Sequence, residues 1–334
     1  MPGGRALSVA EEIVARQEEL RAVWPGFWPI GQPFMLVDSQ ATVLYSPARS
    51  APPAGFVPAR GPRVAELAGM WLHAGVPPDL DIARGRNAHL EYDADGDVVT
   101  AVRVGDDVAE AIELLFHEQF HVFQRSHFRP TLPSAPVEGA PLDSVELARL
   151  DELERATLKR ALAADPAHVG QVARDYVAIR IRRMSGQPDS VVQAEHGVER
   201  TEGSTQWVGM RMLTRVQGDD IGSFRGRLSE LLNWRPAPAS FDVVFDGLPI
   251  ARRQRLYSTG AAILELLDRL GAPDWQTRLA MGEAPFDILV ATISTSSRSR
   301  PRSRSARFGE RNNNLPGEGG RERLAAAIAR AAAS

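Results

Sequence analysis

The stretch Leu114-Leu115-Phe116-His117-Glu118-Gln119-Phe120-His121-Val122-Phe123-Gln124-Arg125-Ser126-His127 decides how this sequence is read. Leu114, Leu115, Phe116, Phe120, Val122 and Phe123 make the segment apolar on most sides, which predicts a buried helix over about 107–126. Asp106 or Asp107 is placed to cap it. On a helix, residues four apart point the same way, so His117 and His121 share one face one turn apart. Two histidines and Glu118 on a buried helix are costly unless something compensates them. A cation held by both imidazoles does so, and Glu118 then stands beside it as a general base. A chance His-Glu-x-x-His in a chain of this composition is roughly a one-in-a-hundred event.

The chain has no cysteine, so any metal must be held by His, Asp or Glu. A catalytic zinc takes three protein ligands and leaves a fourth position open. Two regions offer the third ligand. His127 completes the long spacing His-Glu-x-x-His-x-x-Gln124-x-x-His, in which a sharp turn at a glycine normally brings the last histidine round. Gln124 stands where that glycine would be. The second region is a predicted helix over about 189–215. There Glu195, Glu199 and Glu202 fall on one face, and like charges at that spacing need solvent, arginines or a cation. Gly203, just after Glu202, would let this helix approach the His-Glu-x-x-His helix closely.

The pair of motifs, His117-Glu118-x-x-His121 and the downstream Glu202-Gly203-Ser204-Thr205-Gln206-Trp207, resembles the gluzincin metallopeptidases with thermolysin-like catalytic domains. The resemblance covers these two short motifs. It implies a zincin-like α+β fold, Zn2+ held by His117, His121 and Glu202, and Glu118 as general base. It also implies an oxyanion donor from a later helix, for which Tyr257 in Arg255-Leu256-Tyr257-Ser258 is the candidate. By the same resemblance, an edge strand at Val98–Val102 would bind extended peptide substrate. Positions 122–201 separate His121 from Glu202, against roughly twenty residues in the thermolysin and aminopeptidase branches. At least two helices are therefore inserted. Glu195 or Glu199 would accept the outer N–H of a zinc-binding histidine, and Arg180 or Arg200 would neutralise the acidic stripe.

The rest of the chain fits an α+β arrangement. A helix is expected over 9–22, with Ser8 and Glu11 as capping box. Short strands are expected at Phe34–Val37 and Ala41–Tyr45, a helix over Val64–Ala74, and a hairpin over 89–104. Helices are expected over 143–164, capped by Asp143 or Ser144, then 167–184, 189–215 and 257–270. This gives an α/β subdomain over 1–130 carrying the His-Glu-x-x-His helix. A helical subdomain over 131–293 supplies the third ligand. A low-complexity Arg/Ser/Gly linker with a short helix fills 294–334.

At 43% hydrophobic residues, the 334-residue chain can bury a sizeable core, and a net charge of -3 gives no pull toward nucleic acid or anionic membrane. No apolar run reaches membrane-spanning length. The N-terminal MPGGRALSVAEEIVARQEEL lacks a signal-peptide core. That favours the cytoplasm; a secreted or periplasmic enzyme would need a leader already removed. Lys159 is the single lysine, as in proteins of GC-rich bacterial genomes. The expected activity is zinc-dependent peptide hydrolysis, acting on a peptide or protein substrate. The alternatives are a non-peptidase zinc hydrolase or a zinc-binding helical protein without catalysis.

Overall fold

The computed structural model describes residues 4–60, 69–77, 90–94, 97–130, 145–234, 244–245 and 248–298. The fold is α+β, and the chain divides into two compact units. The first comprises Met1–His127 and Val208–Phe224. The second comprises Phe128–Trp207 and Arg225–Ser334.

The first unit holds a six-stranded mixed sheet in the order β3-β4-β2-β1-β6-β5. Its strands are β1 (Phe34–Val37), β2 (Ala41–Tyr45), β3 (Val57–Pro58), β4 (Met70–Ala74), β5 (Leu90–Ala94) and β6 (Asp97–Arg103). Only β1 and β6 run parallel; the other neighbours are antiparallel. Both faces of β1 and β2 are buried. Met35, Val37, Leu44, Phe56, Trp71, Val99 and Ala101 form one apolar cluster.

The unit opens with α1 (Arg5–Ala15) and the short α2 (Gln17–Leu20), which precede the turn at Pro29–Gly31. The cap of α1 differs from the sequence expectation. The helix starts at Arg5, and its Ala6 N–H donates 2.8 Å to Asp38 Oδ2 rather than being capped through Ser8. Asp38 Oδ1 also accepts from Gln40 and Ala41 N–H at 2.7 Å, so one carboxylate organises the β1–β2 turn and the helix start together.

Residues 70–74 form β4, where the 3.6-residue apolar spacing suggested helix. Tyr45↔Met70 and Leu44↔Trp71 pairing with β2 takes the segment instead, and strand pairing overrides local propensity here. Residues 64–68 lie outside the described residues, as do Asp143 and Ser144. Strand β6 is also not an edge. It pairs with β1 over Thr100–Arg103 on one side and with β5 over Asp97–Ala101 on the other, so it lies inside the sheet and Thr100 and Ala101 are paired on both sides.

Strand β6 leads directly into α3 (Val108–His127), the His-Glu-x-x-His helix. Asp107 Oδ1 accepts from Glu110 N–H at 3.0 Å and caps it, while Asp106 pairs with Arg5 at 2.6 Å. Phe120 takes Trp24 and Phe27 edge-on, with centroids 4.9 and 5.1 Å away. Gln119 donates to the Pro29 carbonyl. The Trp24–Pro29 segment thus seals the apolar side of α3.

The second unit is helical. It contains α4 (Val145–Ala163), α5 (Val169–Met184), most of α6 (Asp189–Gln217), part of α7 (Ile221–Leu231), α8 (Ile250–Arg269), α9 (Trp275–Ala280) and α10 (Pro285–Arg298). A short ribbon, β7 (Val244–Phe245) and β8 (Leu248–Pro249), precedes α8. Residues 294–298, expected as the start of a linker, belong to α10, which runs to Arg298; residues from 299 on lie outside the described residues. No described helix is long and apolar enough to cross a membrane.

Helices α6 and α8 touch backbone to backbone. A Cβ on Gly203 would sit 2.7 Å from Gly260 Cα, and one on Gly260 would sit 2.8 Å from Glu199 O. Only glycine permits that approach. Gly203 therefore serves the α6–α8 contact, not an approach to α3. The glycine of α6 that meets α3 is Gly209, whose Cβ would lie 2.8 Å from Glu113 O and 3.4 Å from His117 Cβ.

Candidate metal centre

On α3, the rings of His117 and His121 stand edge to face with centroids 4.9 Å apart, as the four-residue spacing requires. His117 is 8% exposed; His121 and Glu118 are half-buried. His121 Nδ1 lies 2.9 Å from Gln124 Oε1. An amide oxygen only accepts, so this contact favours the tautomer with the proton on Nδ1, the one in which Nε2 is the acceptor nitrogen. Gln124, one turn on, thus orients His121.

Helix α3 continues unbroken through Gln124 to His127. Without a turn, His127 is carried away from the other two histidines. Its ring stacks on Phe123 at 3.9 Å, and its Nδ1 lies 2.8 Å from Ser126 Oγ and 3.0 Å from Phe123 O. The alternative with His127 as third ligand is not supported by this geometry.

Among the described residues, one group of His, Asp and Glu side chains converges as metal ligands do. One donor atom from each of His117, His121 and Glu202 lies within 4.8 Å of the others. The set is two imidazoles and one carboxylate with no thiolate, the combination zinc takes where a fourth position stays open. The donor chemistry therefore fits zinc.

The acidic stripe on α6 is met by arginines. Glu199 is fully buried and both its oxygens accept from Arg180, at 2.6 and 2.7 Å, with Thr259 Oγ1 at 3.1 Å. Glu195, also fully buried, accepts from Arg183 at 3.1 and 2.7 Å and from Arg252 at 2.6 Å. Burial alone would raise the Glu195 carboxyl, but Arg183, Arg252 and Arg255 outweigh it and hold it well below its ordinary value. With their oxygens so committed, Glu199 is not available as third ligand, and neither residue orients a histidine. Glu154 joins the same cluster through Arg183 at 2.7 Å, and there burial prevails and its carboxyl is raised. Arg200 does not neutralise the stripe. It donates to the carbonyls of Leu279, Arg129 and Ala280, at 2.8, 2.8 and 3.1 Å.

Glu202 is 9% exposed and is held differently. Arg253 Nη2 donates to its Oε1 at 2.7 Å, and Arg253 Nη1 donates to the Tyr257 hydroxyl at 2.5 Å. Tyr257 lies within α8, which begins at Ile250 and not at the residue itself. Burial first, and the Glu202 carboxylate second, push its phenol up to about 12, and the phenol also hydrogen-bonds Glu202. The structure thus brings Tyr257 to Glu202. Sequence reasoning missed Arg253, although Arg253 and Tyr257 stand four apart on one helix and so share a face. His73, His168 and His196 lie outside the group: His73 contacts Gly75 O, His168 pairs with Asp165, and His196 packs by Phe286.

No protein-family model matches the chain, and neither curated proteins nor solved structures yield a similar one.

Proposed function

We propose that this chain is a zinc-dependent metallopeptidase whose ion is held by His117, His121 and Glu202. The observation that carries the reading is the convergence of these three donors, two of them on α3, where Glu118 follows His117 in the chain. Bound there, zinc would supply Lewis-acid polarisation of a water and of the scissile carbonyl. Glu118 follows His117 on the same helix. Its carboxylate takes the proton of the attacking water and delivers it to the leaving amine. Tyr257 holds its proton beside Glu202 and passes that hydrogen bond to the developing oxyanion. Gln124 favours the tautomer of His121 that presents Nε2.

The test pairs metal analysis with one substitution. Purified protein is assayed for zinc by mass spectrometry, and wild type and Glu118→Gln are compared on a library of quenched fluorescent peptides. Zinc retained in both, with cleavage lost only in Glu118→Gln, is the expected result. Equal cleavage by the variant would remove Glu118 from the reaction. Zinc bound with no cleavage by wild type would favour the non-catalytic metal site. A protein with no zinc and no response to added zinc would overturn the metal reading and leave Glu202 as a buried partner of Arg253 and Tyr257.

A further inference from the structure

Glu195, Glu199 and Glu202, the acidic stripe of α6, each meet arginine, but in different ways. Glu199 meets Arg180 through two parallel N–H···O bonds, one to each oxygen. Glu195 receives Arg183 on both oxygens and Arg252 on one. These are closed pairs, in which the arginine saturates the acid. Glu202 receives Arg253 through a single N–H on Oε1, and the other terminal nitrogen of Arg253 goes to the Tyr257 hydroxyl. The guanidinium divides its fork between two side chains instead of spending it on one.

That division has a geometric consequence. Arg253 and Tyr257 are one turn apart on α8, so the guanidinium lies along the Tyr257 ring, 5.4 Å from its centroid. The stack fixes the arginine, and the fixed arginine holds both the Glu202 carboxylate and the Tyr257 oxygen. Glu202 sits directly before Gly203, where α6 and α8 meet backbone to backbone.

From this we infer that Arg253 is a positioning residue of the metal centre. It sets the orientation of Glu202 toward His117 and His121 before any metal arrives, and it holds the Tyr257 hydroxyl beside the same carboxylate. The inference rests on the zinc reading above. Partners that orient a metal ligand typically change metal affinity by about 10–100-fold when removed. Arg253 touches the ligand and the phenol, and does not itself contact the ion or substrate in this role.

The test uses full-length wild type, Arg253→Met and Arg253→Lys, each stripped of metal with a chelator. Zinc affinity is read by competition with a chromophoric chelator. The geometry is read from the visible bands of the Co2+ form, which report ligand arrangement and not fold. Arg253→Met is expected to bind zinc about 10–100-fold more weakly, with shifted Co2+ bands and an unchanged far-ultraviolet circular dichroism spectrum. Arg253→Lys keeps the charge without the fork, and is expected to fall between the two. Equal or tighter zinc binding by Arg253→Met, with unaltered Co2+ bands, would show that Arg253 is a bystander or a competitor for the carboxylate. Should Arg253→Met fail to fold, wild-type affinity and spectrum in Arg253→Lys would overturn the inference in its place. If wild type itself takes neither Zn2+ nor Co2+, the metal reading fails first and the inference falls with it. Wild-type binding alongside an unaffected Arg253→Met refutes the role of Arg253 alone.

Discussion

Alanine at Gly203 is a severe test of the α6–α8 contact. The new methyl carbon would lie 2.7 Å from Gly260 Cα and 3.0 Å from its carbonyl carbon. Carbon atoms pack comfortably at about 3.5–4.0 Å, so the two helices must part by roughly 1 Å at this level. Both obstacles are backbone atoms, and no rotamer change relieves them. Overpacking of a core costs about 1–3 kcal/mol, and a backbone clash belongs at the upper end. Alanine recovers about 1 kcal/mol over glycine through helix propensity. The net loss is about 2 kcal/mol, a fall in Tm of roughly 4–8 °C for a unit of this size. Gly197→Ala supplies the control on the same helix, because a Cβ there meets nothing within 4 Å. It should gain about 1 kcal/mol by propensity alone. The assay is thermal unfolding of both variants beside wild type. A Gly203→Ala protein melting at or above wild type would refute the backbone crossing. The site should respond as well, since Arg253 and Tyr257 lie within two turns of Gly260 on α8. Parting the helices draws them from Glu202, and zinc affinity should fall with Tm.

Three further outcomes are expected. Arg180→Met leaves the fully buried Glu199 without the partner of its 2.6 and 2.7 Å bonds; urea unfolding should show a loss of about 3–5 kcal/mol, largely restored by adding Glu199→Leu. Glu195 is ionised well below its ordinary value of 4.5 in the folded chain. An acid with a lowered folded pKa gives its full stabilisation above the unfolded pKa, so this contribution is lost as pH falls below about 4.5; Glu195→Gln should flatten the stability curve there, and an equally steep acid limb in the variant would count against the arginine cluster as its cause. Metal addition should stabilise the chain: at free zinc a hundred times Kd the gain is about 2.7 kcal/mol, and an unshifted melting curve with and without chelator would argue against the site.

Much of the fold and part of the site can be read directly from residues. The short, continuous apolar runs of β1 and β2 and the apolar sides of α3 declare themselves locally, because each element carries in its own sequence the surface it buries. The i, i+4 histidines need no tertiary information. What escapes local reading depends on partners distant in the chain. Met70–Ala74 has helix-like spacing, yet β2 claims it as a strand. Ser8 looks like a cap, yet Asp38 reaches the helix start first. The Glu195, Glu199 and Glu202 stripe announces that compensation is needed, but the identity of each compensator depends on how α5 and α8 fall against α6. For the same reason the glycine that faces α3 is Gly209, while the more conspicuous Gly203 faces α8.

The continuity of α6 has a consequence for biosynthesis. Its residues to Trp207 belong to the second unit and those from Val208 to the first. The first unit therefore lacks its closing segment when His127 has left the ribosome. At about 5–20 residues per second, residues 128–207 take roughly 4–16 s to translate. During that interval His117 and His121 exist without Glu202 and without Gly209 against α3. The nascent chain cannot finish its sheet-bearing unit first and its helical unit second. Val208–Phe224 can join Met1–His127 only after residues 128–207 have been made, so the first unit is completed late in its synthesis.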